Sequence, residues 1–179
     1  MTLMKKILIF LSLFFAMFTP VALCKQQVEI NEICSAQQCL DTYNSYTQSY
    51  GQDNIMCYAS LLQGKSNNPY IYKYEAYSYY NGVYFMVDVN GAGYPVTLAI
   101  TMPISISFRD FSSAIWYLVQ IAENGNISPL NDHVVMPAIR DAIEHGTGTY
   151  YSQKLKRYII IGYKKKDGVN FAMVGAYTE

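Results

Sequence analysis

"YKYEAYSYYNGVYFMVDVNG", from Tyr72 to Gly91, holds six of the chain's 18 tyrosines on either side of the Asn81-Gly82 pair. Asn81 and Gly82 both tolerate the positive φ of a two-residue type I′ turn, so the stretch predicts a β-hairpin. A two-residue loop places Tyr80 opposite Val83, Tyr79 opposite Tyr84, Ser78 opposite Phe85 and Tyr77 opposite Met86. Side chains alternate between the faces of a strand. One face then carries Tyr72, Tyr74, Ala76, Ser78, Tyr80, Val83, Phe85, Val87 and Val89, and reads as core. The other carries Lys73, Glu75, Tyr77, Tyr79, Tyr84, Met86 and Asp88, and reads as partly wet. This register sets Glu75 against Asp88, an unfavourable like-charge pair.

Further strands and helices extend outward from the hairpin. After the turn "NGAG", the run "YPVTLAITMPISISF" points Val96, Leu98, Ile100 and Met102 inward and Thr97, Ala99 and Thr101 outward, between Pro95 and Pro103. "RDFSSAIWYLVQIAENG" is a helix, with Phe111, Ile115, Leu118, Val119 and Ala122 on one stripe. Ser107 with Asp110 starts it as a capping box, and Gly125 is placed to stop it. A shorter helix is expected from about Pro137 to His145. The chain ends in a second hairpin turning at Asp167-Gly168. Its first strand, with Ile159, Ile160 and Ile161, is apolar on both faces and so reads as central. Upstream, residues 34–50 and 53–64 read as two helices.

Three strands, two helices and two strands after a helical N-terminal segment predict an α+β fold. In it, an antiparallel sheet of about five strands carries helices on one face. The first 24 residues stand apart. Lys5 and Lys6 precede an unbroken apolar run from Ile7 to Phe18, and small residues follow, as in a secretory signal. The expectation is a signal peptide over residues 1–24 and one domain over 25–179. The location follows as exported, periplasmic or secreted. Val21-Ala22-Leu23-Cys24 also has the outline of a lipoprotein signal, so a membrane attachment is expected only through a lipidated Cys24.

Thirteen basic and thirteen acidic residues balance. Without Lys5 and Lys6 the remainder holds 11 against 13, a net of −2. Such a charge provides no attraction to nucleic acid. Lys154, Lys156, Arg157, Lys164, Lys165 and Lys166 form a local basic group, read as solvated charge near strand ends. An exported chain can oxidise its cysteines, so Cys34, Cys39 and Cys57 are disulfide candidates, with the pairing left open. No metal site or cofactor is expected: two histidines lie outside any ligand spacing, and "NGAGYP" lacks the phosphate-loop pattern.

Two functional classes compete. In the first, a non-enzymatic exported domain binds another protein, as an inhibitor, a toxin-immunity protein or an accessory subunit of an envelope complex. Tyr77, Tyr79, Tyr84 and Met86 would supply the anchors and Glu75 and Asp88 the rim, because tyrosine offers large rigid area with a polar tip. The alternative is a papain-like cysteine hydrolase with Cys57 as nucleophile, His133 as base and Gln52 at the oxyanion position. The Glu75–Asp88 pair also has the outline of two carboxylates flanking a glycosidic bond, against which stands simple exposure on a strand pair. A lipid-anchored structural protein is the remaining alternative, and it depends on Cys24.

Overall fold

The computed structural model describes residues 27–30, 32, 34–124 and 129–178, with the side chains of 129–132 left aside. The expected signal segment with Cys24, and the expected helix stop at Gly125, lie outside the described residues.

The elements in chain order are β1 (Gln27–Val28), α1 (Ala36–Ser49), a 3-10 turn (Asp53–Ile55), β2 (Leu62–Gln63) and β3 (Ile71–Tyr77). There follow β4 (Tyr84–Asn90), β5 (Pro95–Pro103), α2 (Phe108–Ala122), α3 (Pro129–His145), β6 (Thr147–Ser152), β7 (Arg157–Lys166) and β8 (Val169–Tyr177). All strands join one antiparallel sheet in the order β2-β3-β4-β5-β8-β7-β6. The short β1 pairs with β8 where β5 begins, and the Ile30 N–H donates to the Pro95 carbonyl at 2.8 Å. The class is the expected α+β, with eight strands among the described residues instead of about five. Two of the added strands are only two residues long. The third, β6, is "TGTYYS", whose glycine and polar residues obscure the alternation.

The inner face of the sheet carries Ala76, Phe85, Val87, Leu98, Ile100, Ile159, Ile161 and Val174. These side chains meet Leu40 and Tyr43 of α1, Phe111, Ile115 and Leu118 of α2, and Val135, Ile139 and Ala142 of α3 in one cluster. Tyr43 and Phe85 sit at its centre, ring centroids 5.3 Å apart. Burying each such aliphatic or phenyl side chain contributes roughly 1.5–3 kcal/mol, which is what holds the helices to one face.

The first hairpin is paired two residues away from the expected register. Tyr77 faces Tyr84, Ala76 faces Phe85, Glu75 faces Met86 and Lys73 faces Asp88. Tyr79 to Gly82 form a four-residue connection, closed by Ser78 N–H to Val83 O at 2.8 Å and Gly82 N–H to Ser78 O at 2.9 Å. Gly82 has a φ of 71° and Asn81 is not in the positive-φ region, whereas a type I′ turn needs both. Asn81 is held by its side chain, whose Nδ2 donates to the carbonyls of Asn54 and Met56. A shift of two keeps each side chain on its original face. It replaces Glu75 with Lys73 opposite Asp88, which exchanges a repulsive pair for an attractive one. The second hairpin turns as expected: Asp167 and Gly168 have φ of 50° and 81°, and Lys166 pairs with Val169.

Residues 53–64 do not form a helix. After the 3-10 turn the chain is extended because Asn44 of α1 captures Cys57. The Cys57 N–H donates to Asn44 Oδ1 and Asn44 Nδ2 donates to the Cys57 carbonyl, both at 3.0 Å. The helix expected from Pro137 begins at Pro129 and keeps Pro137 inside it. Its close approach to the sheet runs over Gly148 of β6, where a Cβ would lie 1.8 Å from the Ala138 carbonyl oxygen. α2 matches its expected start: Ser107 Oγ accepts from the Asp110 N–H at 3.1 Å.

Candidate functional site

The β3–β4 connection, the 3-10 turn and the segment between β5 and α2 meet at one end of the sheet. Between them lies an open cleft of about 760 Å³, lined by Asp53, Asn54, Tyr58, Tyr80, Asn81, Gly82, Pro103, Ser105, Ile106, Ser107 and Asp110. Asn81 clamps two of these segments, since its amide spans from the β3–β4 connection to the carbonyls of Asn54 and Met56. Gly82 fits against Pro103, where a Cβ would come within 2.7 Å of the proline ring.

The rings at this end are exposed. Tyr80 is 86% accessible, Tyr79 82% and Tyr58 50%. Tyr58 and Tyr80 meet edge to face at 5.7 Å, and Tyr58 is further tethered by its hydroxyl donating to the Asp53 carbonyl. Ile104 and Phe108, next to the lining residues in the chain, are also exposed. The side of the cleft at the start of α2 is acidic. Burial pushes the Asp110 carboxyl up, but hydrogen bonding with Asn54, Ser107 and Gln52 and the charge of Arg109 outweigh it and hold the group below the usual range. The Asn54 amide reaches Asp110 Oδ2 at 2.8 Å. None of the lining residues is a lysine or arginine.

The tyrosine patch expected from sequence divides. Tyr79 is exposed, but as part of the connection and not as a strand residue. Tyr77 and Glu75 are half-buried on the outer face of the sheet. Tyr84, Met86 and Asp88 are buried, which corrects the expectation that they are partly wet. Tyr84 and Met86 form a small second cluster with Ala99 and Phe171 on the face away from the helices. The Tyr84 hydroxyl donates to Glu75 Oε2 at 2.5 Å, and burial together with that carboxylate pushes the phenol well above its ordinary range. Asp88 leaves Oδ1 without a hydrogen bond. Burial raises its carboxyl to about 6, against the lowering effect of Lys73 and with a further rise from Glu75. Glu75 and Asp88 are not opposite each other, so the paired-carboxylate arrangement that depended on that register is absent.

Cys57, His133 and Gln52 are not brought together. Cys57 is buried, and its thiol lies 3.6 Å from the Ala76 carbonyl against β3 and β4. Burial outweighs the backbone hydrogen bonds that favour its thiolate and pushes the thiol up to about 11, whereas a nucleophilic cysteine needs the thiolate at working pH. Gln52 is engaged with α2: its Oε1 accepts from the Tyr117 hydroxyl and its Nε2 donates to Ser113 and Asp110. His133 is exposed on α3, which packs on β6 and β7 at the other end of the strand order. Among the described residues no group of three His, Cys, Asp or Glu side chains is placed to hold a metal ion.

Two further arrangements depend on contacts that the hydrophobic pattern of the sequence does not display. Glu123, buried at the end of α2, accepts hydrogen bonds from the Tyr150 hydroxyl at 2.8 Å and the Ser152 hydroxyl at 2.9 Å, while Lys154 donates to its carbonyl. The basic group is thereby divided. Lys154 and Arg157 are tied at the β6–β7 end, Arg157 to Glu32 and the Glu29 carbonyl, and Lys164 to Lys166 belong to the β7–β8 hairpin. The second arrangement is the contact of Cys34 with Cys39, Sγ to Sγ 3.4 Å. The text "CSAQQC" does hold its signal, a Ser and a Gln at capping-box spacing between the two cysteines. Compared with protein families, curated proteins and solved structures, the chain matches none. Among the described residues no helix is long and apolar enough to cross a membrane.

Proposed function

We propose that the protein is an exported, non-enzymatic domain that binds another protein through the aromatic end of its sheet, as an inhibitor, immunity protein or envelope-complex subunit does. The observation that carries this reading is the exposure of Tyr58, Tyr79 and Tyr80 around a cleft that also presents Asp53 and Asp110. Rigid aromatic anchors beside a polar rim are the usual composition of a protein-binding surface. The acidic lining complements a partner segment that inserts a lysine or arginine, whose cation is also attracted to the tyrosine faces. The burial of Cys57 and its distance along the sheet from His133 support a binding role over hydrolysis.

A photo-crosslinking side chain placed at position 80 in the exported chain identifies the neighbour, and binding to that neighbour is then measured directly. Truncating a central aromatic anchor removes about 2 kcal/mol or more, so Tyr58→Ala with Tyr80→Ala weakens binding by roughly 30-fold or more. The same pair changes folding stability by less than about 1 kcal/mol, since both rings are exposed. Equal affinity of the double variant and the parent for the crosslinked partner overturns the assignment of this surface.

A further inference from the structure

Cys34 and Cys39 touch because of how α1 starts. Ser35 is the N-cap, extended at φ −76° and ψ 166°. Its hydroxyl accepts from the Gln38 N–H at 3.3 Å, and the Gln38 side chain accepts from the Ser35 N–H at 2.8 Å. Cys34 is therefore the residue before the cap, and Cys39 is the fourth residue of the helix. Those are the two positions that a hydrophobic staple joins across a capping box. Here both are cysteines, and the staple contact is a thiol pair at 3.4 Å.

We propose that Cys34 and Cys39 form an intramolecular disulfide, a covalent clasp over the first turn of α1, and that Cys57 stays a thiol. The geometry separates the three. Cys57 lies against the Ala76 and Val83 carbonyls of the β3–β4 hairpin, and its backbone is held by Asn44, more than one helical turn beyond Cys39. The oxidant is a disulfide donor, a class that an oxidising compartment supplies. Cys34, partly exposed, is the entry thiol, because the hydrogen bond from Cys39 favours its thiolate. Its thiolate attacks the donor disulfide, forms a mixed disulfide and releases one donor thiolate. Cys39 then loses its proton and attacks the Cys34 sulfur, and the second donor thiolate leaves. Two electrons and two protons pass to the donor, which ends as two thiols. This inference rests on the export part of the proposed function and is independent of the binding surface at the β3–β4 connection.

The experiment uses the full chain with Cys24→Ala, which leaves three cysteines, treated with oxidised glutathione, denatured, alkylated and cleaved after acidic residues. Cleavage after Glu32 and Asp41 isolates Cys34 and Cys39 on one fragment, apart from Cys57. The thiol titre falls from three to one, the 33–41 fragment is two hydrogens lighter and unalkylated, and Cys57 is fully alkylated. Cys39→Ser abolishes the bridge, and Cys57→Ala leaves it intact. A bridge that includes Cys57, a persistent glutathione adduct at Cys34 or a titre that stays at three overturns the proposal.

Discussion

The side-chain amide of Asn81 donates a 2.7 Å hydrogen bond to the carbonyl of Met56, across 25 positions of sequence. The same amide reaches the Asn54 carbonyl, and its Oδ1 accepts from the Val83 N–H. One side chain thus shapes the hairpin connection and anchors the segment that carries Tyr58. Asn81→Ala leaves two carbonyls and one N–H without these partners. The expected loss is about 1–3 kcal/mol, measured as a lower urea midpoint with an unchanged slope. The cleft also loosens, so Tyr58 and Tyr80 lose their edge-to-face contact.

Asp88 makes stability depend on pH. Its folded-state value of about 6 is above the unfolded value of 3.8. Between these values the folded chain keeps a proton that the unfolded chain has released. Stability is therefore highest below about pH 4, falls as pH rises through about 6, and is flat above that for this group. The drop amounts to about 3 kcal/mol at most, because one pKa unit is about 1.4 kcal/mol. Asp88→Asn removes this dependence and raises stability at pH 7.5. Urea titrations of both forms at pH 4.5 and 7.5 measure it, and an equal slope in both rules out Asp88 as the source.

Glu123 ties the end of α2 to β6. Removing its carboxyl leaves the buried hydroxyls of Tyr150 and Ser152 without acceptors. Glu123→Ala is expected to lose about 2–4 kcal/mol, and Tyr150→Phe about 1–2 kcal/mol. The two losses are not additive, because the variants share one hydrogen bond. A double-mutant cycle by chemical denaturation reads the coupling directly.

Gly148 is required by packing and not by backbone conformation. A methyl group there would collide with the Ala138 carbonyl oxygen, a backbone atom that cannot rotate away. Gly148→Ala therefore forces α3 off the sheet and costs about 3 kcal/mol or more. Gly91→Ala, where a Cβ meets open space, is the matched control and changes stability little. Comparison of their thermal midpoints distinguishes packing from a general effect of losing a glycine.

Much of the fold was legible because it depends on short-range periodicity. The stripe of Phe111, Ile115, Leu118 and Val119 identified α2, and Ser107 identified its start, since both are written within a few residues. Asp167-Gly168 gave a tight turn because both residues adopt the positive φ that a two-residue hairpin loop requires. The site was less legible. Tyr80 belongs to the exposed rim only because the hairpin register moved by two, and Tyr84 and Met86 are buried among residues from three other strands, β3, β5 and β8. Residues 53–64 hold a helix-like composition, yet Asn44 captures their backbone from α1.

The chain by itself determined which strand residues alternate and about where α1 and α2 begin, because side-chain direction and helix capping follow from the backbone over a few bonds. Tertiary structure alone decided which strand residues lie opposite each other and which tyrosines stay wet. Those outcomes turn on hydrogen bonds such as Asn81 to Met56 and contacts such as Gly148 to Ala138, whose partners are far apart in sequence and meet only when the sheet and helices have closed on one another.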